Sequence, residues 1–418
     1  MTSHYDYLLI GSFACVHAAQ SIREQDKEGT ILIIGEEPHP PYDRPPLSKD
    51  YLTDDDMTPD GPYSKYDDFY SKNQIALHTK TRVKSIDRAA RSITTDSGER
   101  IGYGKLLLAT GARAKTLDIP GADRPGVFLL RHIEDAEAIR QALRVSKRAV
   151  IIGAGYIGME VAAAARQRGL DVTVIDPGGR PWSRFASENL GGFLKRYYEA
   201  QGVQFIFEEV ASIDGAGEHS PVHRVTTKQG RQLPADLVVA GVGAALNIEL
   251  AKEAGLEADE KNGVRVDAFL RTADPNVWAA GDIAYFHDIA LGKDWHAEHF
   301  QNAKWQGQAA GKVMAGGTEP YDQIPYFFSD EFDIHMILRG DPQGGKSSLF
   351  LGDVDGAEFT ELYYNEEGVV TMGVAISHDE KKLDALAETL ERLVRKKVNI
   401  KGRETEIQSS GFDLAGLA

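Results

Sequence analysis

The sequence predicts an α/β protein, and three observations carry that prediction. Two apolar runs end in glycine and lead into small-residue helices: YLLIG at Tyr7 to Gly11 and KRAVIIGAG at Lys147 to Gly155. A third run, KLLLATGA from Lys105 to Ala112, has the same build. Continuous apolar runs bounded by glycine fit parallel strands covered by helices. After Pro325 the pattern changes, because PYFFSDEFDIHMIL and FTELYYNEEGVVTMGVAIS show the alternation and aromatic content of antiparallel strands. The expected architecture is two Rossmann-like nucleotide-binding domains followed by a C-terminal α+β domain.

In chain order, the first strand leads to a helix from Ala14 to Glu24 and then to a second strand, TILIIGEE. A strand, a glycine turn and a helix place a pyrophosphate on the helix N-terminus, where unpaired N–H groups and the helix dipole favour negative charge. Gly11 matches the first glycine of such a turn, but the loop that follows, Ser12, Phe13, Ala14 and Cys15, is one residue short and lacks the second. Phe13 then stands where backbone normally approaches phosphate, and forcing it to positive φ would cost ~1–2 kcal/mol. The second strand ends at Glu36, which predicts a ribose contact.

The second unit carries the sharper signal, GAGYIG, with Gly153, Gly155 and Gly158 spaced G-x-G-x-x-G. The first glycine makes the turn, the second admits the pyrophosphate, and the third lets helix and strand pack closely. Ile157 lies inside this loop. The helix from Tyr156 to Gly169 leads to DVTVIDP, ending in Asp176, a carboxylate suited to the adenosine ribose hydroxyls. An acid there repels a 2′-phosphate, so NADH is favoured over NADPH. Arg180 and Arg184, close in sequence, keep NADPH open. Near the C-terminus, Leu383, Leu386, Leu390, Leu393 and Val394 form a helical stripe expected to face the core.

Composition narrows the function. Among 418 residues, 47 basic against 63 acidic side chains give a net charge of −16, which disfavours a nucleic-acid partner. A single cysteine, Cys15, excludes an intrachain disulfide, a redox dithiol and a cysteine metal cluster; no metal is expected. No apolar run reaches the ~18 residues of a membrane span, and no signal peptide is expected before the first strand, so a cytoplasmic setting is expected.

From Pro41 the chain reads PYDRPPLSKDYL, and here it resembles the ferredoxin-reductase branch of the FAD-dependent pyridine-nucleotide oxidoreductases. That branch includes dioxygenase and cytochrome P450 system ferredoxin reductases and apoptosis-inducing factor. LLLATGARA resembles the passage from FAD domain to NAD domain, with Ala109, Thr110 and Gly111 in its turn. LRHIEDAEAIR resembles the crossover helix, with Arg131 matching an arginine near the flavin. VVAGVGAALNIELA, containing Gly243, is similar to the return segment, although Ala244, Ala245 and Leu246 replace its usual basic or proline residues. TADPNVWAAGDIA is similar to the second FAD motif, in which Gly281 precedes Asp282, matching the aspartate that bonds the ribityl chain.

The resemblance implies a glutathione-reductase-like fold with an FAD domain at 1–117 and 245–324, an NAD domain at 118–244 and a C-terminal domain at 325–418. It implies that Arg44 approaches the FAD pyrophosphate and that Lys49 and Glu160, the implied catalytic pair, lie beside flavin N5. A lysine there stabilises negative charge on reduced flavin, and a carboxylate holds the lysine. Gly11, Phe13, Ala14, Glu36 and Val83 belong to the implied FAD site. HAEHFQNAKWQGQAA resembles the segment over the flavin, with Glu298 and His299 matching and Phe300 in place of tryptophan; Phe328 makes the same replacement in PYFFSD. Both changes keep an aromatic face and remove an indole N–H.

The implied reaction is hydride transfer from NADH to FAD, then single electrons to a small acidic [2Fe-2S] ferredoxin feeding an oxygenase. Six basic residues between Arg392 and Arg403, with no acid among them, could face such a partner. Two alternatives stand beside it: an NADH oxidase or quinone reductase of the same fold, and a redox-sensing interaction protein in the manner of apoptosis-inducing factor. Both monomer and homodimer fit the sequence.

Overall fold

The structure is a computed structural model and describes residues 3–65, 67–184, 186–217, 219–345, 347–409 and 411–417. The chain divides into two compact units: Met1–Asp43, Asp60–Arg113 and Ala245–Pro325 form one, and Arg44–Pro59, Ala114–Ala244 and Tyr326–Ala418 the other.

In the first unit the apolar runs pair as parallel strands. Ser3–Gly11 lies between Ile31–Ile34 and Arg100–Ala109, with Ile75–His78 beyond Ile31–Ile34 and Val277–Ala279 against Arg100–Ala109. Leu8, Leu9, Leu32, Leu106 and Leu107 are wholly buried, as strands covered on both faces require. The register sets Gly11 opposite Ala109, and a Cβ on Gly11 would stand 2.1 Å from the Ala109 carbonyl oxygen. Only glycine fits this turn.

The helix Phe13–Gln25 packs against Phe300–Met314. Cβ atoms on Gly307 and Gly311 would each lie 2.3 Å from a carbonyl oxygen, of Ala14 and Ala18 respectively. Two four-residue spacings thus meet, small residue on small residue, and bring both helix N-termini to the end of the sheet where Gly11 turns.

In the second unit Arg148–Ile152 is flanked by Asp171–Ile175 and Leu237–Ala240, with Gln204–Ile206 and Val127–Leu129 at the edges, all parallel. Val150, Ile152, Ile175, Val225 and Val238 share its core. The region after Pro325 forms a five-stranded antiparallel sheet running from Tyr326–Glu331 to Ser347–Asp353, as its alternation predicts. The helix Glu380–Arg395 covers it, burying Leu383, Leu390, Leu393 and Val394, while Leu386 is half-buried. Among the described residues no helix is long and apolar enough to cross a membrane.

Candidate functional site: two nucleotide loops and a buried lysine cluster

The first loop departs from expectation. Gly11, at φ +138°, is its left-handed residue; Ser12 has φ −130° and caps the helix, and Phe13 is the first helical residue. The expected strain at Phe13 is therefore absent. The missing residue is absorbed by starting the helix directly after Ser12, so no second glycine is needed. The Phe13 ring turns onto Phe300, centroids 4.4 Å apart and 27° between planes, with His17 edge-on at 4.8 Å. Burial, helped by Lys304 and Lys65, lowers the His17 pKa to about 4.

Around this turn the first unit gathers most of its predicted residues. Gly35 sits beneath Gly11, since its Cβ would be 3.3 Å from the Gly11 carbonyl oxygen, and Glu36 follows it, exposed and 3.9 Å from Arg82 Nε. Val83 is buried at the start of Val83–Asp87. Gly281, at φ +78°, faces Ala14 and Ala303, and half-buried Asp282 follows it. The Gly281 N–H donates to Gln306 Oε1 at 2.8 Å, leaving the wholly buried Gln306 Nε2 with no partner. Such an orphaned donor suits a bound acceptor. Ala109 ends its strand, Thr110 donates to the Asn247 carbonyl at 2.6 Å, and Gly111 turns at φ +63°. His299 caps the Phe300–Met314 helix through Gln301 N, while Glu298 pairs with His296 at 2.9 Å. Cys15 is buried beside Gly11, and burial pushes its thiol pKa far up, so it offers no thiolate.

In the second unit the three glycines divide their work as the motif requires. Gly153 has φ +107°, and a Cβ on Gly158 would stand 1.9 Å from the Gly153 carbonyl oxygen. A Cβ on Gly155 would meet nothing within 4 Å, so that face is open to a ligand. Ile157 is 41% exposed on the helix's first turn. Asp176 accepts the N–H groups of Ala154, at 2.9 Å, and Gly178, at 2.6 Å. These bonds hold the carboxylate at the mouth of the loop. Gly243 turns at φ +109°, with Arg184 Nη1 4.0 Å from where its Cβ would stand.

The same unit holds the lysine cluster. Lys49 Nζ lies 3.2 Å from Glu160 Oε1, 3.4 Å from Asp330 Oδ2 and 4.7 Å above the Phe328 ring. Burial pulls the Lys49 pKa down, but Glu160 and Asp330 outweigh it and raise it above the ordinary lysine value. Glu160 is buried and accepts hydroxyl hydrogens from Ser48 and, at 2.7 Å, from Ser329. A buried carboxylate with one ion pair and two hydroxyl donors is compensated where a bare one would not be. Arg44 donates to the Arg131 carbonyl at 2.6 Å.

Ser48, Gln306, Ser329, Asp330 and Glu331 join the site only in the folded chain. The pattern SDE directly after Phe328 was the available signal for three of them.

Two nucleotide-binding β-α-β loops on one chain, with a charged cluster that lacks any thiol, define a pyridine-nucleotide oxidoreductase. Residues 5–307 match the family described as pyridine nucleotide-disulphide oxidoreductase, and the chain belongs to it. Among its relatives is the anthranilate 1,2-dioxygenase system ferredoxin–NAD(+) reductase component of Burkholderia cepacia, 35% identical over 89% of this chain and 90% of that protein. Of solved structures, the ferredoxin reductase for the CYP199A2 system from Rhodopseudomonas palustris superposes with a TM-score of 0.91 at 32% identity, covering 99% of this chain and 100% of that one. The covalent putidaredoxin reductase–putidaredoxin complex also gives 0.91, at 27% identity over 100% and 98%. The family implies a flavin and NAD(H), and the orphaned Gln306 donor and the open Gly155 face fit such groups.

Proposed function

We propose that the protein is an FAD-dependent NADH:ferredoxin reductase of the cytoplasm, delivering single electrons to a small acidic [2Fe-2S] ferredoxin that serves an oxygenase. The observation that carries this reading is the buried Lys49–Glu160 pair, braced by two serines on a chain whose relatives include a ferredoxin–NAD(+) reductase component matched along most of its length. A flavin, when bound, accepts a hydride and returns electrons one at a time. The chain's part is to hold and tune. Gly11 and the first turn of Phe13–Gln25 take the FAD pyrophosphate, Glu36 the ribose, and Asp282 the ribityl chain. Lys49, kept charged by Glu160, would stabilise negative charge on the reduced flavin, with Arg44, Arg131 and Phe328 assigned to the same cofactor.

For the nicotinamide nucleotide, Gly155 admits the pyrophosphate and Asp176 takes the ribose. The two N–H bonds hold the Asp176 carboxylate in place at the ribose position, which supports NADH over NADPH. We keep the division into an FAD domain, an NAD domain and a C-terminal domain at the boundaries given above. The absence of strain at Phe13 removes one ground for the redox-sensing alternative; the replacements at Phe300 and Phe328 are the other.

The acceptor is argued from charge. Arg392, Arg395, Lys396, Lys397, Lys401 and Arg403 are all exposed, although Glu391 pairs with Arg395 and Glu406 with Arg403. They offer an acidic ferredoxin a local attraction against a net charge of −16. The test is NADH-dependent reduction of a purified acidic [2Fe-2S] ferredoxin, followed by its visible bleaching and compared with dioxygen and a soluble quinone. Faster turnover with the quinone or dioxygen than with any ferredoxin would refute the assignment.

A further inference from the structure

One acid beside the lysine cluster has no part in the roles above. Glu331, on Tyr326–Glu331, is 1% exposed. Its Oε1 lies 3.4 Å from Ser329 Oγ, long for a hydrogen bond, while Oε2 has no hydrogen-bond partner. Ser329 Oγ is in turn 2.7 Å from Glu160 Oε1.

The groups around Glu331 come from several elements. The Tyr156–Gln167 helix supplies Glu160 and Tyr156, Glu188–Ala200 supplies Tyr198, and the segment after Pro45–Ser48 supplies Lys49. Its own strand adds Ser329 and Asp330, the latter held by His335 of Ile334–Gly340 at 2.8 Å. The Tyr198 hydroxyl hydrogen goes to the Met159 carbonyl at 3.0 Å. Lys49 is paired with Glu160 and Asp330, and no ion pair to Glu331 occurs among the described residues.

An ionised Glu331 would therefore either leave Oε2 unpaired or draw the Tyr198 hydrogen away from the Met159 carbonyl, one serine away from a second carboxylate, an expensive arrangement. A neutral carboxylic acid removes the second negative charge and lowers the cost of the unpaired oxygen. Its hydrogen is donated to Ser329 Oγ, and the single Ser329 hydrogen is then left for Glu160 Oε1. The chain of donors runs in one direction only.

We propose that Glu331 works as a neutral carboxylic acid and a positioning residue, donating to Ser329 so that the Ser329 hydroxyl is aimed at Glu160 and the Lys49–Glu160 pair is held in one geometry. Its effect on the flavin rests on the function proposed above; its protonation does not. Burial raises the Glu331 pKa to about 8, with the Tyr198 hydroxyl and Lys49 pulling it down and the Glu160 charge pushing it up. When that proton leaves to solvent at higher pH, Ser329 faces two carboxylates with one hydrogen, and negative charge is added beside Lys49.

The experiment is an infrared difference titration of the holoenzyme across pH 8, for wild type, E331Q and E331L, combined with the rate of flavin reduction by NADH and the pH dependence of the flavin midpoint potential. Wild type should lose a protonated-carboxyl band with a midpoint near pH 8 and show an inflection in potential there. E331Q, whose amide can also donate to Ser329, should lack both band and inflection and keep the neutral-pH rate. E331L, which cannot donate, should slow flavin reduction on the order of tenfold through misplacement of the pair. A wild type without the band, or an E331Q as slow as E331L at neutral pH, would overturn the proposal. Should E331L fail to fold, wild type and E331Q decide alone. A preparation that binds no flavin refutes the proposed function, while the infrared band still tests Glu331.

Discussion

The glycines of the second loop give a prediction in which stability and binding separate. Gly155 has φ −83° and ψ −172°, an extended conformation open to any residue, and its Cβ position is empty to 4 Å. Gly155→Ala therefore costs the fold no more than the difference between glycine and alanine at an N-cap, about 1 kcal/mol or less. A ligand's pyrophosphate, however, meets the new methyl group and loses a charge-assisted N–H bond of about 1.5–3 kcal/mol, a ten- to hundredfold rise in the Kd for NADH. Gly158→Ala does the opposite. Its Cβ would sit 1.9 Å from the Gly153 carbonyl oxygen, and reaching ordinary contact means moving helix from strand by more than ~1 Å. Overpacking of that kind costs roughly 1–3 kcal/mol. Thermal unfolding and calorimetric titration with NADH would measure both variants. If Gly155→Ala binds NADH like wild type, or Gly158→Ala unfolds like wild type, the assignment of turn, approach and packing to these glycines is wrong.

Other predictions follow from the charged groups. Lys49→Met leaves the Glu160 carboxylate buried without its cation and should cost about 3–5 kcal/mol of stability, read by denaturant unfolding, along with most of the rate of flavin reduction. Asp176→Ala should raise the ratio of kcat/KM for NADPH to that for NADH by at least about tenfold, because like-charge contacts cost several kcal/mol. Absolute affinity for both should fall as Ala154 and Gly178 lose their acceptor. His17, neutral when folded with a pKa of about 4 against an ordinary 6.5, makes the unfolded chain bind more protons between those values. Stability should therefore fall as pH drops from 6.5 towards 4, and His17→Gln should flatten that slope. Glu331 has the opposite sign: its folded pKa of about 8 exceeds the ordinary 4.5, so stability should fall as pH climbs through that interval, and E331Q should remove the loss.

The parts of the site that depend on local backbone chemistry were readable. Gly153 and Gly158 betray themselves because a turn at positive φ and a tight helix contact each demand the missing side chain, whereas Gly155 is unconstrained by the fold and its glycine is explained only by the proposed ligand. The two acids closing the second strands, Glu36 and Asp176, follow from the length of a β-α-β unit. The loop at Phe13 was misread because a missing residue was treated as strain at a fixed position, whereas the helix simply begins earlier and the aromatic ring finds Phe300, far along the chain. Ser329 and Glu331 could not be found from sequence for another reason. In an alternating strand, a polar residue reads as solvent-facing, and only the tertiary fold places Ser329 against Glu160, 169 residues away. Gln306 was hidden in the same way, as one polar position on a helix whose neighbours, Gly307 and Gly311, give the packing away.

Ferredoxin reductase activity is tested most directly by an anaerobic titration of the purified protein with NADH, followed by absorbance and then by addition of oxidised [2Fe-2S] ferredoxin. The expected result is a yellow protein whose flavin bands bleach with one equivalent of NADH and return as the ferredoxin is reduced. A protein that stays colourless after incubation with FAD, or a flavin that NADH does not bleach, would contradict it.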